Sequence, residues 1–449
     1  MRKKKKWISM LLSAVCLFQI NVLPVQAEEY WPEGPSVAGE SAIVMEASTG
    51  TVLYEKNAHQ ELYPASITKI MTALLAVENS SLDEQVTFSA DAVYKTEGSG
   101  IWRDVDEVMT MEQCLYALML ESANECAYAI GEHVGGDYDT FVQMMNDKAQ
   151  ELGCQNTHFN NPHGLPDENH FTSAYDMALI SRAALQNETF RLITSTKRYT
   201  IPATNKHTEE TYLSNHHKML NNWKGDSQYL YDGCIGGKTG YTSVAGSTLV
   251  TFAERDGMTL ICVVMNEKSP DHYLDTTNLL NYCFENFQLW NVAENETKYT
   301  SEGTENKIFA NEEAFLTLDK NGYIVLPKAA TFTDAVSEVK EDTKSKDKVG
   351  VIQYTYAERN VGGADIKING AKVSKFPFEQ ENEDQNIVNI NTKYILIGVL
   401  VVILLVGIGF GIYHFADNFY LIRYKISSRR QKGFKEIKQK KNRRRKRWF

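Results

Sequence analysis

The stretch YPASITKIMTALLAVE, Tyr63–Glu78, decides how this chain is read. From Ile67 onward the apolar residues Ile70, Met71, Leu74, Leu75 and Val77 recur at helical spacing, which predicts a buried helix with Ser66 in its first turn. Positions i and i+3 share a helix face, so Lys69 is directed at the Ser66 hydroxyl. A buried ammonium is costly unless it is paired or gives up its proton. A lysine that gives up its proton beside a hydroxyl is a general base.

Two further segments offer partners for this pair. ESANECAYAI supplies Ser122 and Asn124, a hydroxyl and an amide two residues apart at a helix junction. GCIGGKTGYTSVAGS supplies Lys238, Thr239, Gly240 and Tyr241 at the entry to a strand, where glycines let another backbone approach closely. Alone, each has a bland reading: a helix cap, a loop polar pair, a strand-end turn. Together, in this order, the S-x-x-K, S-x-N and K-T-G runs resemble the motif set of penicillin-binding proteins and class A β-lactamases.

The surrounding pattern predicts an α+β fold. Ala42–Glu46 and Thr51–Glu55 alternate around a Thr-Gly turn and read as a hairpin. Helical patterns run from Ser66 to about Gln186. A second hairpin, Ser247–Arg255 and Met258–Met265 around Asp-Gly, is followed by a closing helix in SPDHYLDTTNLLNYCFENF. Terminal strands with helices between them suggest one antiparallel sheet beside a helical subdomain, over residues 28–290. Short alternating runs over 297–378 predict a small all-β domain, and 379–393 is an acidic linker.

The ends of the chain carry a different message. Residues 1–27 have a basic cluster, an apolar run and a Val25-Gln26-Ala27 cleavage pattern, which reads as a signal peptide. Cys16 does not make a lipoprotein signal, because Val15 stands where a small residue is needed. Tyr394–Tyr413 is an uncharged run of about 20 residues, the length of a membrane span, so 394–414 is expected to be a transmembrane helix. The basic tail 415–449 is then cytoplasmic and the catalytic part extracytoplasmic, on a cell-membrane protein with one C-terminal span. The formal net charge is −10; setting aside the +5 of residues 1–27 and the +12 of residues 416–449 leaves −27 on the exported part. Such an acidic surface argues against a nucleic-acid partner. Cys114, Cys126, Cys154, Cys234, Cys262 and Cys283 lie mostly in apolar segments and are expected as buried free thiols. Nothing in the His and Cys spacing suggests a metal, and no cofactor is called for.

On YPASITKIMTALLA, FNNPHGLPDENHFTSAYDMALIS and YDGCIGGKTGYTSVAG, over about residues 36–285, the chain resembles the D-alanyl-D-alanine carboxypeptidases, low-molecular-mass penicillin-binding proteins of the S11 serine peptidase type. The resemblance implies a β-lactamase/transpeptidase-like catalytic domain acting on peptidoglycan stem peptides that end in D-Ala-D-Ala, with β-lactams as covalent inhibitors. It implies Ser66 as nucleophile, Lys69 as base and Ser122 as proton relay. Asn124, Lys238, Thr239, Gly240 and Tyr241 would bind substrate, with the N–H groups of Ser66 and Tyr241 as the oxyanion hole. His163 and His170 are read as loop-ordering residues near the cleft, Asp176 as a helix or network residue, Met119 and Tyr128 as core, and Asn215, His216 and Lys218 as lining the approach. Many relatives end in an amphipathic surface helix, whereas this chain has an apparent full span.

Three other readings compete. A β-lactamase needs a glutamate that activates water, and only Glu210 in ETYLS approaches that pattern. A membrane-bound β-lactam sensor would acylate without turnover. A D,D-transpeptidase would pass the acyl group to an amine.

Overall fold

The computed structural model describes residues 30–222, 225, 227–297, 316–341 and 348–368. The expected signal peptide 1–27, linker 379–393, span 394–414 and tail 415–449 lie outside the described residues. Among the described residues no helix is long and apolar enough to cross a membrane.

The predicted hairpins form one five-stranded antiparallel sheet. Strands β1 (Ser41–Glu46), β2 (Val52–Lys56), β3 (Cys234–Thr242), β4 (Gly246–Arg255) and β5 (Met258–Glu267) run in the order β2-β1-β5-β4-β3. N- and C-terminal segments meet at β1 and β5, where Val44 opposes Cys262. Residues alternating along β5 explain how the sheet is covered on both faces. Ile261, Val263 and Met265 join the core of the helical subdomain, while Leu260, Cys262 and Val264 pack with Leu279, Leu280 and Cys283 of the closing helix Asp271–Asn286.

Helix α1 (Lys69–Asn79) is the buried spine of the helical subdomain, with residues Lys69–Ala76 all buried. Its contacts include helices α2 (Asn124–Gly135) and α3 (Ala174–Ala184). All six cysteines after residue 27 are free; Cys114, Cys126, Cys262 and Cys283 are buried and the other two half-buried.

The second sheet begins earlier than the 297 boundary. Phe287–Asn291 leaves the closing helix directly as an edge strand of a six-stranded sheet, pairing with Tyr323–Pro327. The remaining strands are Leu316–Leu318, Val336–Glu341, Lys348–Tyr356 and Arg359–Ile368. The sequence hides this because FQLWN reads as a continuation of the apolar helix face, while pairing with a strand more than 30 residues away has no local signature. The two sheets share packing: Val325 of the second lies in the same apolar cluster as Phe287 and Leu280.

Candidate active site

Ser66 is not in the α-helix itself. Ala65–Thr68 form a 3-10 turn that leads into α1, and Ala65 takes φ +51°, a left-handed conformation that costs a non-glycine residue energy. Three residues per turn eclipse i and i+3, which sets Lys69 beneath Ser66 more directly than an α-helix does. Lys69 Nζ lies 3.1 Å from Ser66 Oγ, 2.7 Å from Asn124 Oδ1 and 2.5 Å from the carbonyl oxygen of His163. The lysine is fully buried, and burial followed by the charge of Lys238 pushes its pKa well below the ordinary lysine value. An amine that holds its proton less tightly than an ordinary lysine, beside a hydroxyl, is suited to accept that hydroxyl's proton.

The serine-amide pair sits where the sequence put it, at a helix junction, by an unexpected route. The helix Met111–Tyr116 passes through a π turn, Ala117–Glu121, and breaks at Ser122, which is left-handed at φ +61°. α2 then starts at Asn124. π turns and strained residues collect at functional sites because they re-aim side chains. Ser122 Oγ is buried and has no hydrogen-bond partner among the described residues, so its hydroxyl is available to a ligand.

Strand β3 forms the opposite wall. Lys238 is 2% exposed, donates to the Thr239 carbonyl at 3.0 Å, and is pulled by burial to a pKa of about 7. Thr239 is half-buried and Tyr241 is 69% exposed. Gly240 is required for closeness: a Cβ there would stand 2.8 Å from the Ser66 nitrogen and 2.4 Å from Thr248 Oγ1. Thus the backbone of β3 runs against the nucleophile turn, as an oxyanion-binding pair of N–H groups requires.

Several supports were not visible in the sequence. Gly164, at φ +90°, packs so tightly that a Cβ would fall 1.9 Å from the Ala65 carbonyl oxygen. Thr72 donates to Pro162 O at 2.6 Å, and Thr248 donates to Pro64 O at 2.9 Å, tying the turn to loop and sheet. Their signal is tertiary, so no spacing rule finds them. His163 and His170 order loops as expected: His163 Nδ1 accepts from Leu165 N, and His170 bridges Thr68 Oγ1 and Asn160 N. Burial depresses both, His170 to about 3, so neither is a base at neutral pH. Asp176 accepts from Asn156 N and Thr157 Oγ1. Met119 and Tyr128 are core. Asn215 departs from expectation: it is 2% exposed and donates to the carbonyls of Thr194 and Thr196, so it braces the wall instead of lining the approach. His216 pairs with Glu121 at 2.8 Å, and Lys218 lies over the rings of Tyr229 and Tyr273.

Comparison with known proteins agrees with this geometry. The family model of the D-alanyl-D-alanine carboxypeptidases, peptidase S11, matches residues 28–269. The D-alanyl-D-alanine carboxypeptidase DacF of Bacillus subtilis is 33% identical over 319 residues, covering 69% of this chain and 77% of that protein. Among solved structures, the Streptomyces K15 DD-transpeptidase is similar at 32% identity and TM-score 0.52, covering 57% of this chain and all of that one. Penicillin-binding protein 6B of Escherichia coli is similar at 26% identity and TM-score 0.56, covering 75% and 97%. With a serine, a buried lysine and a Lys-Thr-Gly strand converging in that fold, the chain belongs to the D-alanyl-D-alanine carboxypeptidase family, the S11 serine peptidases.

Proposed function

We propose that this protein removes the terminal D-alanine from peptidoglycan stem peptides through an acyl-enzyme on Ser66. The observation that carries the reading is the fully buried Lys69 amine nitrogen 3.1 Å from Ser66 Oγ, with burial and then Lys238 lowering its pKa. Ser66 Oγ attacks the carbonyl between the two D-alanines while its proton passes to Lys69. The tetrahedral oxyanion is held by the N–H groups of Ser66 and Tyr241. The C–N bond then breaks, and Ser122 relays the proton to the departing amine of D-alanine. Water hydrolyses the ester, regenerating Ser66. Asn124 holds the substrate backbone; Lys238, Thr239 and Gly240 receive the terminal carboxylate. A β-lactam acylates the same oxygen, and its ester persists.

Transpeptidation is the second reading, favoured by the likeness to the Streptomyces K15 DD-transpeptidase. A β-lactamase is disfavoured because Glu210 is exposed and its carboxylate accepts from the exposed Tyr212 hydroxyl. The uncharged run Tyr394–Tyr413 and the basic tail support a catalytic unit exported and tethered by one C-terminal span. Truncation after residue 378 should then release active protein into the medium; retention with the membrane would refute the tether.

The test of function is release of free D-alanine from diacetyl-L-lysyl-D-alanyl-D-alanine, with Ser66→Ala as blank. Multiple turnovers that depend on Ser66 are expected. Release only when an amine acceptor is added would favour the transpeptidase, and labelling by penicillin without release would favour the sensor.

A further inference from the structure

On the Asn124 side of the cleft lies a small cavity of about 180 Å³, lined by residues of 96–104 and by Glu125. It is tied to the catalytic centre through one side chain. Asn124 Nδ2 donates to Glu97 O at 2.5 Å and Asn124 N to Ser99 O at 2.8 Å, while the Oδ1 of the same amide accepts from Lys69. A group lodged there is therefore one side chain away from the base.

The cavity wall carries a carboxylate with one oxygen left without a donor among the described residues. Glu125 is 5% exposed; its Oε1 accepts the N–H groups of Ile101 at 2.6 Å and Trp102 at 2.7 Å, whereas Oε2 has no hydrogen-bond donor among the described residues. Gly100 leaves that oxygen uncovered, since a Cβ would stand 2.6 Å from it. That oxygen opens into the cavity, where a cationic ligand can donate to it. Arg103 also lines the cavity; its two Nη atoms are committed to Glu107 at 2.9 Å, Ile101 O at 3.1 Å and Thr211 Oγ1 at 2.8 Å, while its buried Nε has no partner among the described residues. Glu97 and Asp104 are exposed at the wall, and Trp102, at φ +60°, is 73% exposed beside them. Carboxylates with an aromatic face suit an ammonium. The volume is below the roughly 300–1,000 Å³ of whole small-molecule sites, and fits a single side chain.

We propose that this cavity is a subsite for a primary ammonium on the side chain of the residue that precedes the two D-alanines, with Glu125 as its anionic floor. The assignment rests on the D,D-peptidase reading above. It makes the enzyme selective for stem peptides whose side-chain amine is free, that is, not yet cross-linked or capped.

The experiment compares kcat/KM for α-acetyl-L-lysyl-D-alanyl-D-alanine with its Nε-acetylated form, in wild type, Glu125→Gln and Glu97→Gln. Wild type should prefer the free amine by about tenfold or more, the scale of one hydrogen bond between charged groups. Glu125→Gln should bring the ratio near one. Because the charge of Glu125 also reaches Lys69, both rates shift by a common factor in that variant, and the ratio isolates the subsite. Glu97→Gln, an exposed change that spares folding, should lower the ratio partway. Equal use of both substrates by wild type, or an undiminished ratio in Glu125→Gln, overturns the subsite while leaving the peptidase reading intact. Release from neither substrate overturns both.

Discussion

Lys69 and Arg103 are both buried cations, yet the protein treats them in opposite ways. Arg103 Nη1 meets Glu107 Oε1 at 2.9 Å, with side chains 2% and 0% exposed, and Glu107 is further held by Asp104 N, Thr204 Oγ1 and His207 Nδ1. Burial pulls the Glu107 pKa up, but these donors and Arg103 bring it below the usual carboxylate value. Lys69 has only neutral hydrogen-bond partners, and after burial the largest influence of charge is another lysine, which outweighs Glu125. A buried cation set directly against a well hydrogen-bonded carboxylate is structural, although Arg103 Nε itself has no partner among the described residues. A buried cation with no carboxylate bonded to it is held in readiness to lose its proton, and stability is sacrificed for that readiness.

Breaking each side of this contrast gives distinct outcomes. The largest effect is expected from Ser66→Ala, which should abolish D-alanine release and covalent penicillin labelling together, read by intact mass. Next, Arg103→Met strands the Glu107 carboxylate and should cost about 3–5 kcal/mol in urea denaturation, with Arg103→Met/Glu107→Gln recovering part of the loss. A smaller effect concerns Lys238. Burial lowers it from 10.5 to about 7, so the ammonium that meets the substrate carboxylate is lost as pH rises. kcat/KM should therefore fall above about pH 7, and Lys238→Arg, which stays charged, should move that limb upward.

The smallest effect sharpens the comparison from the acidic side. Glu267 is 6% exposed with neither oxygen hydrogen-bonded to a donor among the described residues; burial, then Asp275, raise its pKa to about 8. Its folded pKa lies above the unfolded value near 4.5, so the native state binds more protons between the two. That contribution is complete below about pH 4.5 and is lost as pH rises to about 8. Glu267→Gln should flatten the slope of Tm against pH across that window.

Much of the site was legible because its parts are local. Ser66 and Lys69 are three residues apart, Ser122 and Asn124 two, and Lys238 to Tyr241 are contiguous, so spacing and residue type reveal them. The left-handed Ala65, the π turn before Ser122 and the braces Gly164, Thr72 and Thr248 were not legible, since each exists only against a distant partner. Glu125 was hidden for another reason: a glutamate in the first turn of a helix is ordinary, and only the loop 96–102 folded over it creates a cavity. The same logic explains the fold. Hairpins around Thr-Gly and Asp-Gly turns announce themselves, whereas the edge strand Phe287–Asn291 depends on pairing with Tyr323–Pro327.

The most direct test of the contrast is the rate of acylation by penicillin in Lys69→Met, a substitution of similar length without charge. The account predicts a fall of roughly 10²–10⁴-fold, the range of a general base, in protein that is folded and no less resistant to urea than wild type. Acylation at the wild-type rate in that variant would contradict the assignment of Lys69 as the base.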